Sequence, residues 1–211
     1  MASYLQRNGC KVGRKRISSI YGILGLEAIY PKPNLSIANK KHAKYPYLLR
    51  DVEIIERNQV WSSDITYIRL YGGYVYLMAV IDWFSRYVLD WEISIGLEAD
   101  FCIVTLDRLL QQRRCKIFNV DQGPQFTCHA FIDLLLQNKI MVSMDGKGRC
   151  LDNIFVERLW RSLKYECIYL LSLSSVMEAR EEIKKYFNFY NNERPHQALN
   201  YKTPAEVYFS G

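Results

Sequence analysis

Residues 145–166 read DGKGRCLDNIFVERLWRSLKYE. Val156, Leu159, Trp160 and Leu163 recur at i, i+3, i+4 and i+7, so the stretch predicts an amphipathic helix with one buried stripe. Asp152 and Asn153 are N-cap residue types and place its start. On a neighbouring stripe Glu157, Arg161 and Lys164 keep the same spacing, which lays one carboxylate over a surface with two cations beside it. The segment ahead of the helix, residues 145–151, reads as a glycine-bearing loop carrying Lys147 and Arg149. Such a loop can close on a substrate or can simply turn the chain.

Two earlier acids sit where strands should end. Asp64 lies in QVWSSDITYIRL, a run rich in β-branched and aromatic residues. Asp121 closes KIFNVDQGPQF, where a short apolar strand meets Gly and Pro. Thirty-five residues separate Asp121 from Glu157. Carboxylates are hard oxygen ligands, and three of them can hold a pair of Mg²⁺ ions. Any one of these acids, taken alone, reads equally as a surface or capping residue. A fourth acid, Asp82, reads as the residue that orders a turn.

The words NQVWSSDITYI, AVIDWFSRYVL, DQGPQFT, MDGKGRCLDNIFVERLWRSLKYE and YNNERPHQALNYKTPAEVY run in that order from Asn58 to Tyr208. Together they resemble the bacterial insertion-sequence-three family of transposases, whose catalytic core is retroviral-integrase-like. Val120, Pro124 and Cys150 depart from the family pattern without removing an expected ligand. The resemblance implies an α/β, RNase H-like fold with a mixed five-stranded sheet flanked by helices. It implies a DDE-type, Mg-dependent polynucleotidyl transferase with Asp64, Asp121 and Glu157 as catalytic and metal-binding residues, two Mg²⁺ ions and Mn²⁺ as a substitute. It further implies DNA as substrate and partner, cleavage followed by strand transfer, and a homo-oligomer on DNA. A partner from an upstream reading frame would supply a helix-turn-helix, and the location would be the bacterial cytoplasm, on the nucleoid. The other readings are a related nuclease that only hydrolyses and a truncated, non-catalytic DNA-binding regulator.

Charge is unevenly placed. Residues 1–50 hold ten Lys and Arg against one acid, Glu27, whereas the remaining residues hold 18 against 21. A basic arm on a near-neutral body suits sequence-independent phosphate contact, although solvated lysines would look the same. The six cysteines form no CxxC pair and the three histidines are not clustered with them. A zinc site and a disulfide framework are therefore disfavoured, and the scattered thiols fit a reducing compartment. No apolar run reaches membrane-spanning length, and the N-terminus lacks a secretory h-region.

Residues 1–27 read as the remnant of a helix-turn-helix, with Arg14, Lys15 and Arg16 ahead of Ile17, Ile20, Tyr21 and Leu24 at helical spacing. A plain packing helix fits equally well. Residues 28–58, with Pro31, Pro33 and Pro46 among lysines, read as a basic linker. Residues 59–170 form the expected core. Strands are predicted at 60–70, 74–81, 87–94, 115–121 and 140–144. Helices are predicted at 97–112, with Phe101, Val104, Leu106 and Leu109 inward, and at 127–137. Residues 171–211 read as a C-terminal helical extension of the core, whose apolar stripe packs back on the core or against another subunit. Ser175 and Glu178 suggest a capping box there, and Thr203-Pro204 opens a last helix. His196 reads as a turn residue. DNA contact is expected from Lys164, Arg161, Lys147, Arg149, Arg14, Lys15 and Arg16.

Overall fold

The structure is a computed structural model that describes residues 2–24, 45–146 and 153–210. Two compact units are present, Met1–Lys40 and Lys41–Gly211. In the first, α1 (Ala2–Arg7) and α2 (Arg14–Ile23) are joined by a turn in which Gly9 takes a positive φ of 82°. Arg14, Lys15 and Arg16 are exposed at the start of α2. Ile17 is buried, but Ile20 and Leu24 are exposed, so the expected apolar stripe is covered only in part. Lys32, Lys40, Lys41 and Lys44 of the expected linker lie outside the described residues.

The second unit is built on a sheet of β1 (Val60–Leu70), β2 (Gly73–Asp82), β3 (Val88–Ser94), β4 (Ile117–Val120) and β5 (Met141–Met144), in the order β3-β2-β1-β4-β5. The first three strands form an antiparallel meander, and β4 and β5 add in parallel on the other edge of β1. Tyr71 and Gly72 make the tight β1–β2 connection, and Tyr71 N donates to Leu173 O. Helix α3 (Asp100–Leu110) crosses from β3 to β4, and α4 (Pro124–Thr127) and α5 (His129–Gln137) cross from β4 to β5. The helix expected over 127–137 is α5, which begins at His129 because Cys128 is extended, and the short α4 before it is not among the expected elements. Helices α6 (Ile154–Glu166), α7 (Val176–Asn192) and α8 (Pro204–Phe209) follow.

Alternation along the strands sends side chains to two faces. Trp61, Met78, Val80, Phe118 and Val120 pack with α3 and α5 on one face. Ile68, Val75, Leu77, Ala79 and Ile81 pack with α6 and α7 on the other. On α3 the inward residues are Cys102, Thr105, Leu106, Leu109 and Leu110. Val104, expected inward, is exposed, because the buried face is turned by one position. Helix α6 buries Val156, Leu159, Trp160 and Leu163, as its periodicity predicts.

One expectation about chain organisation changes. The second half of the expected linker packs on the core: Leu49 is buried with Val60, Trp83 and Ile117, Leu48 N donates to Ser143 Oγ, and Met144 N donates to Pro46 O. Apolar Tyr45, Tyr47, Leu48 and Ile54 pack there, and their burial outweighs the freedom that proline and lysine suggested. The C-terminal extension packs on the core: α7 shares the buried cluster of α6, and Tyr208 of α8 stacks on Tyr87 and donates to Asn58 Oδ1. Thr203 and Glu206 complete a capping box on α8. At α7 only half of the box forms. Ser175 Oγ accepts from Glu178 N, while the Glu178 carboxylate accepts from Ser174 instead. Among the described residues no helix is long and apolar enough to cross a membrane.

Candidate active site

Asp64 lies on β1 with Ala79 as its antiparallel partner, on the face that α6 covers. The parallel pairing of β1 with β4 aligns Ser62 with Asn119. Continued by two residues, that register sets Asp64 beside Asp121, which directly follows the last residue of β4. Asp64 on β1 and Asp121 just past β4 thus lie on neighbouring segments of the chain. Alternation gives them the same face. Asp121 follows the C-terminal end of β4, where loops leave room for ligands, whereas Asp64 lies in the middle of β1 rather than at the strand end expected from sequence, because β1 runs on to Leu70 to pair with β2.

Each carboxylate is held differently. Asp64 Oδ2 accepts from Trp160 Nε1 of α6 at 2.9 Å. Asp121 Oδ1 accepts from Gly123 N at 2.8 Å, an Asx turn closed by its own loop. A Cβ on Gly123 would lie 2.8 Å from that oxygen, so glycine is what lets the turn close this tightly. Glu157 is exposed in the first turn of α6. Burial raises the Asp64 carboxyl from about 3.8 to about 6, the negative charges of Asp121 and Glu157 add to the rise, and the N–H groups of Trp160 and Ile65 oppose it. Burial also raises Asp121, against the Gly123 N–H. Asp64 therefore feels the charges of both other carboxylates. Among the described residues, no three His, Cys, Asp or Glu side chains converge closely enough to enclose an ion on their own.

The start of α6 is pinned to the sheet. Asn153 does not cap the helix with its side chain, as its residue type suggested. It is buried, and its Nδ2 donates to Ser63 O at 3.2 Å, next to Asp64. Phe155 packs edge-on to Trp83 and lies under the Arg86 guanidinium, 3.4 Å from the ring centroid. Burial lowers Arg86 to about 10, leaving it charged. Asp82 orders the turn as expected, accepting from Ser85 N, Ser85 Oγ and Asn58 N.

Of the expected DNA-contacting residues, Lys164 is half-buried and close enough to Asp64 for that charge to favour its protonation, although burial lowers its pKa overall. Arg161 is exposed, with its guanidinium 6.0 Å from the Tyr165 ring centroid. Lys147 and Arg149 lie outside the described residues, and Arg14, Lys15 and Arg16 belong to the other unit.

Sequence reasoning passed over Asp145. Its backbone N donates to Val120 O, and the parallel β4–β5 register that pairs Val120 with Met144 brings it beside Asp121. It is buried, its Oδ1 accepts from Asn119 Nδ2 at 2.8 Å, and its carbonyl accepts from Gln122 Nε2. Only the strand register reveals it, because in sequence it looks like a loop residue. His196 is a turn residue as expected: it packs edge-on to Tyr190, and burial and the Arg194 charge lower its pKa to about 4. Arg194 is committed to both oxygens of Glu166.

This mixed five-stranded sheet with helices on both faces is the RNase H-like arrangement, and solved structures share it. A chain of the simian T-cell lymphotropic virus intasome in complex with PP2A regulatory subunit B56 gamma matches with a TM-score of 0.66 at 17% identity, over 82% of this chain and 62% of that one. The HTLV-2 integrase catalytic core domain in complex with magnesium matches with a TM-score of 0.54 at 19% identity, over 74% of this chain and 99% of that one. Two integrase core domain family models match residues 56–150 and 138–204. The putative transposase InsK for insertion sequence element IS150 of Escherichia coli strain K12 is 30% identical over 96% of this chain and 73% of its own length. The transposase for insertion sequence element IS904 of Lactococcus lactis is also 30% identical, over 96% of this chain and 83% of its own. Transposase InsF for insertion sequence IS3A of Escherichia coli is 36% identical over 71% of this chain and 53% of its own. The chain belongs to the integrase-core family of insertion-sequence transposases.

Proposed function

We propose that this chain cuts DNA at the ends of an insertion sequence and joins those ends to new DNA, with Asp64, Asp121 and Glu157 as its catalytic carboxylates. The observation that carries the reading is that Asp121 and Glu157 both lie near enough for their charges to raise the proton affinity of Asp64, from positions just past β4 and on α6. The donor set suits a divalent cation. It is all carboxylate oxygen, with no Cys or His, the hard type that Mg²⁺ and Mn²⁺ take. Its members repel one another until a cation offsets them. A bound pair of such ions would lower the pKa of a water and offset charge building on the scissile phosphate.

The chain's own residues do the rest. Asp64 stands on β1, and Asp121, directly after β4, is fixed by the Gly123 N–H. Glu157 rides on α6, pinned through Asn153, Phe155 and Trp160. Arg161 and Lys164, one and two turns along that helix from Glu157, offer cations to the DNA backbone, and Lys147, Arg149, Arg14, Lys15 and Arg16 are further candidates for phosphate contact on their charge alone. In the first step a water oxygen bonds to phosphorus and the P–O3′ bond breaks, leaving a 3′-OH and a 5′-phosphate. In the second, that 3′-OH attacks another phosphodiester, one P–O bond replacing another. Neither step needs a covalent enzyme intermediate. Joining two ends calls for more than one copy of the site, so the protein acts as an oligomer on DNA.

The test uses labelled duplex carrying the element's terminal sequences, with Mg²⁺ and the full chain. Cleaved and joined products should form, and Asp121→Asn should reduce both by at least 10³-fold. Cleavage without joining of a pre-cut end, or products that survive Asp121→Asn, would overturn the proposal.

A further inference from the structure

Trp160 is three residues beyond Glu157 and 96 residues from Asp64 in sequence. Its ring is buried in the core between α6 and the sheet, with only 6% of its surface exposed. Its Nε1 reaches Asp64 Oδ2 at 2.9 Å, which ties the helix that carries one expected ligand to the side chain of another. Asp121, by contrast, is oriented by a backbone N–H from its own loop. An indole N–H is donor-only and neutral. It can hold a carboxylate in one rotamer without supplying a positive charge that would compete with a cation, as Lys or Arg in its place would.

We propose that Trp160 is a positioning residue for cation binding: its indole N–H holds Asp64 in one rotamer and locks the rotation of α6 to β1, so that Asp64 and Glu157 are presented as a preset pair. This rests on the assignment of those two residues as ligands. Hydrogen-bond partners of ligating carboxylates commonly contribute 10–100-fold to metal affinity. A ring serving only as core filler would also meet an acceptor, since buried indoles usually do, so the test must separate the ring's shape from its N–H.

The experiment measures Mn²⁺ binding to the full chain by calorimetry, without DNA. It compares the wild type, Trp160→Phe, Asp64→Asn, and a protein in which position 160 carries benzothienylalanine, the same bicyclic shape with sulfur in place of N–H. Asp64→Asn should lose the site. The benzothienylalanine protein should bind Mn²⁺ at least tenfold more weakly than wild type while keeping its metal-free Tm, and Trp160→Phe should be at least as weak. A benzothienylalanine protein that binds like wild type, alongside an Asp64→Asn protein that does not bind, overturns the role of Trp160 alone. A wild type that binds no Mn²⁺, or an Asp64→Asn protein that binds as well as wild type, overturns the ligand assignment and this inference with it.

Discussion

Replacing Asp64 with Asn should make the metal-free protein more stable while abolishing its chemistry. Folding moves Asp64 into a buried position beside two other carboxylates, and its pKa rises from about 3.8 to about 6. The native state then binds the Asp64 proton more tightly than the unfolded chain does. Stability falls as pH rises from about 4 to about 6 and stays reduced above that window. Each tenfold change in proton affinity is about 1.4 kcal/mol, so the shift corresponds to at most about 3 kcal/mol. Asp64 keeps some solvent contact, and we take about 2 kcal/mol as the effect. Asn keeps the shape and an oxygen for the Trp160 N–H but carries no charge. At pH 7.5, in chelator and without metal, Asp64→Asn should raise Tm by roughly 4–8 °C, and at pH 4 the gain should largely vanish. Saturating Mg²⁺ should stabilise the wild type by mass action and leave the variant unchanged. Differential scanning calorimetry across that pH range, with and without Mg²⁺, reads all of this. An Asn variant less stable than wild type at pH 7.5, or equally stabilised at pH 4, would refute the reasoning that burial, with the neighbouring charges, makes ionised Asp64 costly in the metal-free fold.

Gly123→Ala should fold, because the atom its Cβ meets is a rotatable carboxylate oxygen at 2.8 Å; turning Asp121 away should nonetheless cut DNA cleavage by more than tenfold, with Tm within a few degrees of wild type. Lys164→Ala should weaken DNA binding at every sequence and lower the slope of log K against log salt by about one, read from fluorescence titrations at several ionic strengths. A Lys164→Ala protein with an unchanged slope would assign that lysine to solvent.

Much of the fold was legible because it rests on short-range periodicity. The bounds of β1 are those predicted, the buried stripe of α6 is the one its spacing demanded, and Tyr71 and Gly72 mark the hairpin. These patterns encode which side of an element is apolar, a property local to the chain. The rest depended on neighbours. Val104 looked inward until the packing of α3 chose a face one position round, and 45–58 looked like a connector until Leu49 and its neighbours found the core. Asn153 had the chemistry of a cap, and the nearness of the Ser63 carbonyl gave its side chain another use.

At the candidate site the division is similar. Sequence alone determined the residue types and their order: Asp64 in a strand, Asp121 after one, Glu157 on a helix, and two cations along that helix. Only the tertiary structure decided which groups meet. Strand order put the segment carrying Asp121 between those carrying Asp64 and Asp145, and helix packing delivered the Trp160 N–H to Asp64. A hydrogen bond between residues 96 positions apart leaves no periodic trace in the chain, because it depends on the pairing of strands and the seating of a helix, which arise only when the whole core forms.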